Sequence, residues 1–477
     1  MPGSISSSDT RQLLQEYLQA VRPARPSPIL PSGVNAPAPL SFGQEQMWLH
    51  LKIAPSHAAS AYNEAITIHH KGPLDADVLA ACVSEVIRRH EAWRTTFADA
   101  DARPVQIVHS PRPLALPVID LGELPVAERE ARALRILSDE ARRPYDLGIG
   151  PLVRPTLLRM ADADYRLMLA MHHIVFDGFS IYRVLLPELA ALYEAFSNGA
   201  PSPLPELPIQ YSDFARWQRN LPQSPAGSCA LEYWRKKLAG DLPVLQLPSD
   251  RPRPVMQTFR GASYKFSLPS GLSSEVKEFS RREGVTLFMS LLAAFDVFLH
   301  HYTGQDDILI GGVTAGRNRA ELEPLIGFFL NTVVLRTDLS GDPTFRELLA
   351  RVKETTLEAL THDDVPFELL VKELRPHRDV SVNPFFQVLF SIEPPRAFQK
   401  SDWGLSQGEV DLGATKFDLD FQLDETLDGI IGHCSYSTDL FDPATVERMV
   451  QHWQQVLENA VVDANQRISQ LSLLPPL

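Results

Sequence analysis

Met171-His172-His173-Ile174-Val175-Phe176-Asp177-Gly178-Phe179-Ser180 is a stretch where two hydrophobic periods meet. Upstream, Tyr165 to Val175 is dense in apolar and β-compatible residues and reads as a strand running into the two histidines. Downstream, Ile181, Leu185, Leu186, Leu189, Leu192, Tyr193 and Phe196 recur at helical spacing until Asn198-Gly199 stops the run. The stretch is therefore a strand-to-helix connection, and it carries the chain's densest set of candidate chemical groups.

Neighbours on an extended segment point to opposite sides, so one of His172 and His173 lines a cavity while the other is held inside. Asp177 and Gly178 fall at the turn. There an aspartate accepts backbone or arginine hydrogen bonds, and a glycine lets a substrate pass close to the main chain. Ser180 and the first helical N–H groups offer donors where negative charge develops. Two other pairs, His69-His70 and His300-His301, have no Asp-Gly after them, and a histidine pair alone is ordinarily structural. A metal reading is poor, because opposed neighbours do not chelate and no second cluster has ligand spacing.

At 477 residues the chain exceeds one ordinary core and suits two units of about 200 residues each. An apolar content of 44% and a charged content of 22% are those of a soluble globular protein. The formal net charge of −14 argues against nucleic acid as a partner, since phosphate binding needs a basic surface. Cys82, Cys229 and Cys434 are widely separated and lie in no CxxC or nucleophile context, which fits a reducing cytoplasm. The N-terminus has no charged region followed by an apolar core, so it does not read as a secretory signal. The most apolar helix candidate, Val285 to Tyr302, is interrupted by Ser290, Asp296, His300 and His301 and reads as too amphipathic to span a bilayer.

Taken in order, residues 1–40 comprise a Ser-rich start, a helical run from Asp9 to Val21 and a Pro-rich stretch from Pro23 to Pro39. That composition is expected to bury no core and reads as a linker or docking segment without chemistry of its own. A first globular unit then spans 41–220, with a strand from Tyr62 to His69 and a helix from Asp75 to His90. In Arg89-His90-Glu91-Ala92-Trp93-Arg94-Thr95-Thr96-Phe97 both arginines can be surface residues, or one of them can reach a buried carboxylate such as Asp177. Sequence alone leaves both readings open. Tyr211-Ser212-Asp213-Phe214-Ala215-Arg216-Trp217-Gln218 has aromatics at helical spacing, a pattern that usually means packing.

Pro-, Ser- and Asp-rich breaks over 219–255 mark a boundary, and a second unit is expected over 221–465. Its strand Asp307 to Val313 leads into Thr314-Ala315-Gly316-Arg317, which is no phosphate loop because GxxxxGK[ST] is missing. IGFFLNTVVLR (326–336, containing Asn331), HDDVPFE (362–368) and RDVSVNPFFQVLF (378–390) follow. Both halves repeat strand, long helix and strand, yet only the first carries HHxxxDG. A reaction in a cleft between them is the natural arrangement.

These residues, taken together, resemble a condensation domain of a nonribosomal peptide synthetase. The likeness runs from about Ser41 to Leu477 through seven ordered motifs. MHHIVFDGFS is similar to MHHxxxDGWS, RHEAWRTTF to RHExLRTxF, and YSDFARWQ to YxDFAxWQ. The three later segments fit in their expected order. The ordered set is far more specific than HHxxxDG alone.

The resemblance implies an α/β fold of mixed sheets: two chloramphenicol-acetyltransferase-like subdomains in a V around a central tunnel. It implies an amide-forming acyltransferase joining a carrier-bound acyl, aminoacyl or peptidyl thioester to a carrier-bound aminoacyl acceptor. His173 would be the functional histidine, with His172 and Gly178 beside it. Asp177 would be structural and paired with an arginine, for which Arg89 and Arg94 are the candidates. Ser180, Trp217 and Asn331 would line the tunnel or support it. No resident cofactor or metal is implied. Phosphopantetheine arms of donor and acceptor carrier proteins would bring the substrates, and residues 466–477 would begin a linker toward an adenylation domain.

Four positions depart from the family pattern: Gly43 stands for Ala, Gln46 for Arg, Trp93 for Leu and Phe179 for Trp. An acyl-CoA-dependent transferase of the same fold is the nearest competing enzyme, but the DFGWG of its plant members is missing. An epimerisation domain shares the histidine pair, whereas the Asp-Gly and NPFFQVLF favour condensation. A non-catalytic domain that recruits carrier proteins or oxygenases is the alternative from another class, opposed by intact His172, His173 and Asp177.

Overall fold

Two mixed sheets organise the chain, each built around strands whose apolar residues the sequence already marks. The computed structural model describes residues 27–33, 36–53, 60–101, 103–374, 381–393, 403–407, 410, 412–426 and 429–474. The first sheet has the spatial order Trp403–Gln407, Asn63–Lys71, Asp164–His172, Val153–Ala161 and Val118–Asp120. Its pairings are antiparallel except the last, which is parallel. The second sheet runs Asn331–Asp338, Asp307–Thr314, Val388–Glu393, Leu419–Thr426, Gly429–Ser437 and Gly261–Ser267. Val388–Glu393 is parallel to both neighbours, and the outer pairs are antiparallel. The expected α/β architecture with mixed sheets is the one observed.

Helix Leu287–Thr303 lies at the heart of the second half. The Thr286 side chain caps its start by accepting the Met289 N–H, and Gly304 ends it in the left-handed region at φ 68°. Its residues from Met289 to Leu299 are buried on every side, so it is a core helix and not the amphipathic one expected. The polar interruptions are satisfied internally: Ser290 Oγ lies 2.8 Å from Ser280 Oγ. Phe295 meets Phe390 and Phe421 at ring separations of 4.8 and 4.7 Å, and Trp453 closes the cluster. Each such fully buried side chain contributes roughly 1.5–3 kcal/mol of transfer free energy. Among the described residues no single helix is long and apolar enough to cross a membrane.

The division of the chain at about 220 needs correction. Trp403 adds its strand to the first sheet, and Leu322, Leu325, Ile326 and Phe329 pack in the first-half core. Two excursions of the second half therefore complete the first. The Pro-rich N-terminal stretch is also more than a linker where it is described. Ile29 and Leu40 are buried in the same core, and Ala38–Pro39 pairs with Gln106 and Val105. The expected helix Asp9 to Val21, the start of RDVSVNPFFQVLF at 378–380 and the last residues 475–477 lie outside the described residues.

Candidate active site

Strand Asp164–His172 stops one residue short of the second histidine, and His173–Val175 forms a single 3-10 turn closed by the Phe176 N–H on the His173 carbonyl. The expected strand to Val175 is therefore shorter. The turn separates the two histidines as alternation predicts. His172 is fully buried; its Nδ1 accepts the Ile174 N–H at 3.2 Å, and the rings of Tyr62 and Tyr145 flank it. Burial, with the positive fields of His173, Lys416 and His50 behind it, pushes its pKa down to about 3. His172 is a neutral wall residue.

His173 is the open member of the pair, with 21% of its side chain exposed. Its Nδ1 lies 2.8 Å from the Phe176 carbonyl oxygen, which can only accept, so the proton is on Nδ1 and the lone pair on Nε2. Phe176 stacks on the imidazole at 4.9 Å and Phe328 meets it edge-on at 5.2 Å. Glu64 Oε2, from the adjacent strand, is 3.7 Å from Nε2. A ring fixed on three sides with its basic nitrogen toward the open side is the arrangement of a general base.

Asp177 has no exposure and acts as a junction. Its Oδ1 accepts from the Ser180 N–H at 2.8 Å, the Ser180 hydroxyl at 2.7 Å and Arg317 Nη2 at 2.9 Å, while Oδ2 accepts the Phe329 N–H at 2.9 Å. Arg317 also donates Nη1 to the carbonyls of Leu322 and Leu325 and lies over the rings of Phe179 and Phe329. The partner of Asp177 is thus Arg317, and the candidates Arg89 and Arg94 are corrected. Arg89 is held by Glu188 through Nε and Nη2, and Arg94 by Glu91 and the His109 carbonyl. Both guanidinium groups are spent on those nearer acceptors. The signal for Arg317 was present in the sequence: it follows Gly316, whose φ is 61° and where a Cβ would fall 1.9 Å from the Phe329 carbonyl oxygen.

The segment 326–331 crosses from the second half and is laced by side chains of the first. His90 Nδ1 accepts the Ile326 N–H, Ser180 Oγ the Gly327 N–H, and Asp177 the Phe329 N–H. The Tyr211 hydroxyl donates to the Phe328 carbonyl at 2.6 Å. His90 donates its other nitrogen to Glu188, and desolvation lowers its pKa, which keeps it neutral for this double role. Asn331 donates to the carbonyls of Asp363 and Val365 and accepts the Phe367 N–H, so it braces HDDVPFE and does not line the site. Trp217 donates to the Ser27 carbonyl and packs on Phe214, anchoring the N-terminal stretch.

Two local expectations change. The Ser180 N–H and hydroxyl are committed to Asp177, so Ser180 is not the oxyanion donor. A Cβ at Gly178 would make only ordinary contacts, 3.6 Å from a Glu393 carboxylate oxygen and from the Tyr182 ring. The turn itself thus tolerates a side chain there, and the bare main chain faces the second sheet. Sequence reasoning missed Glu64 and Lys416. Glu64 is a charge inside an otherwise apolar strand; Lys416, whose ammonium is 4.2 Å from the Tyr62 ring centre, carried no comparable signal.

Comparison with known proteins agrees with this geometry. The family model described as the condensation domain matches residues 34–477. A linear gramicidin synthase of Brevibacillus parabrevis is 45% identical over 450 residues, 94% of this chain and 9% of that protein. Chondramide synthase cmdD of Chondromyces crocatus is 43% identical over 467 residues, 97% of this chain and 12% of that protein. The chain therefore spans about a tenth of the length of these relatives. Among solved structures, the X-domain from teicoplanin biosynthesis in complex with OxyB superposes with a TM-score of 0.81 at 28% identity, covering 95% of this chain and all of that one.

Proposed function

We propose, from the premise that this chain belongs to the condensation-domain family, that it joins a carrier-bound acyl, aminoacyl or peptidyl thioester to the amine of a carrier-bound aminoacyl acceptor. One observation carries the reading: His173 presents Nε2 as a lone pair at a partly open position of the motif while His172 is sealed and neutral. The acceptor nitrogen attacks the thioester carbonyl and forms the C–N bond, giving a tetrahedral oxyanion. His173 Nε2 takes the proton that the nitrogen sheds. Collapse breaks the C–S bond, and the proton passes to the departing thiolate, leaving an amide on the acceptor carrier and a free thiol on the donor. The main-chain N–H at Gly178 is the candidate donor for the oxyanion.

A thioester is already activated, so holding two tethered substrates in register supplies much of the rate. His173 supplies general-base assistance of the order of 10²–10⁴-fold. Substrates arrive on phosphopantetheine arms of donor and acceptor carriers, with an adenylation domain as the adjoining partner, in the cytoplasm. The chain brings no cofactor of its own to this chemistry.

Intact-protein mass spectrometry tests it. Donor-loaded and acceptor-loaded carriers are mixed with the chain or its His173→Ala variant. The acceptor carrier gains the donor's mass with the unmodified chain, and the variant is at least about 100-fold slower. A second reading, recruitment without transfer, is supported by the likeness to the X-domain solved with OxyB. Carrier binding with no mass transfer from any donor class would favour it.

A further inference from the structure

We infer that Glu64 and Lys416 are an opposed pair of charges that set the protonation of His173, with Glu64 the positioning residue that receives the imidazolium. The inference rests on His173 as the base of the proposed reaction and adds two residues outside every recognised motif. Glu64 lies on strand Asn63–Lys71, whose neighbour carries the histidines; the register places it opposite Met171. The adjacent Tyr62 carbonyl accepts the His173 N–H at 2.8 Å, so the glutamate's strand is tied directly to the base.

The separation of 3.7 Å between Glu64 Oε2 and His173 Nε2 is informative. With the proton on Nδ1, both facing atoms are acceptors, and two acceptors hold apart at this distance. A proton arriving on Nε2 turns the contact into a charge-assisted hydrogen bond. Glu64 is thus arranged to favour the state that exists only after the acceptor nitrogen has lost its proton.

Lys416 opposes it. Its half-buried ammonium faces the Tyr62 ring, feels the carboxylates of Asp420 and Glu64, and lowers the pKa of His172. Burial in turn lowers its own pKa. The charged and titratable groups around the pair are His172, His50 and Asp420, with Glu368 acting on Tyr62 from the second half. Lys416 holds Glu64 ionised and prevents it from protonating His173 permanently; a base trapped as imidazolium cannot accept the amine proton. Charge pairs within a few ångström of a site shift it by about one pH unit or more.

The test follows the imidazole of His173 in the whole chain by nitrogen-edited NMR, the signal identified by its loss in His173→Asn. Glu64→Gln lowers the titration midpoint of that signal by about one pH unit, and Lys416→Met raises it. The acid limb of kcat/KM for carrier coupling moves the same way in each variant. Glu64→Asp, which keeps the carboxylate and serves as the folding control, restores the direction of the wild-type profile. A midpoint that stays within about 0.3 of wild type in both variants, or moves the same way in both, overturns the inference. Because the NMR midpoint needs no turnover, a chain that fails to form amides while its two midpoints diverge refutes the proposed reaction and leaves the coupling standing.

Discussion

Replacing Arg317 with methionine removes the charge that joins the histidine turn to the second half while keeping much of the aliphatic stem. Arg317 and Asp177 have side-chain exposures of 1% and 0%, so neither can recover its lost partner from water. Asp177 would keep Ser180 and the Phe329 N–H, but its buried charge would have no counter-ion. Breaking a buried pair from one side costs about 3–5 kcal/mol. The Leu322 and Leu325 carbonyls, now served at 2.6 and 2.8 Å, also lose their donor. Urea unfolding followed by tryptophan fluorescence should show a loss in that range. The loss should be nearly equal at 0.05 and 1 M salt (about 14 and 3 Å of screening length), since ions do not reach the pair. Asp177→Asn alone should also destabilise, and the double variant should cost less than the two losses combined by about 2 kcal/mol. Coupling turnover should fall through kcat, because the loosened turn carries His173. A loss below about 1 kcal/mol, or additive losses, would refute the assignment of Arg317 as the clasp of the turn.

Gly43→Ala restores the residue that the family pattern has in this place, and the structure predicts that it harms this chain. The added Cβ would lie 2.6 Å from Phe328 Cε1, and Phe328 is the ring edge-on to His173. We expect overpacking of about 1–2 kcal/mol in urea unfolding and a several-fold fall in coupling rate, with Phe328→Leu recovering both in the Gly43→Ala background; an unchanged rate would mean that Phe328 does not steady the base. Glu368, in the first turn of helix Phe367–Leu374, has its pKa pushed by burial from 4.5 up to about 7. The folded state therefore binds the extra proton between those values, and stability falls as pH rises through the window. Glu368→Gln should match the parent at pH 4 and exceed it by up to about 3 kcal/mol at pH 8, read from urea midpoints; equal stability at both pH values would exclude the buried carboxyl as the cause.

Alternation and helical spacing made the local structure around His173 legible, because period 2 and period 3.6 are short-range properties of the chain. They placed the strand, the turn and the following helix, and they divided the histidines correctly into one inside and one open. What they misplaced was the extent of each half. A strand such as Trp403–Gln407 carries its own pattern but not the identity of the edge it joins, and here it joins His70 to Ile66 far back in the sequence. The same limit hid Arg317. An arginine near the motif in sequence is a natural suggestion for Asp177, yet Arg89 had a closer buried carboxylate in Glu188, which competes for it at 2.9 Å. Burial with a nearer partner decides which arginine is free to travel.

The placement of Asp177 then changes what the motif is. Read locally, Asp-Gly shapes a turn; in the structure only the Ser180 bonds are local, and Arg317 and the Phe329 N–H both come from the second half. Ser180, Tyr211 and His90 likewise spend their polar groups on residues 326–328. These are buried bonds, each costly to leave unmade. Docking of segment 326–331 and formation of the histidine turn are therefore one event. The first half alone would hold Asp177 as a buried, uncompensated charge, which is a physical reason for the second half to carry the clasp even though it carries no HHxxxDG of its own. His173 becomes a fixed base only when both halves are in place, and the open side of that base is the side on which Glu64 and Lys416 wait.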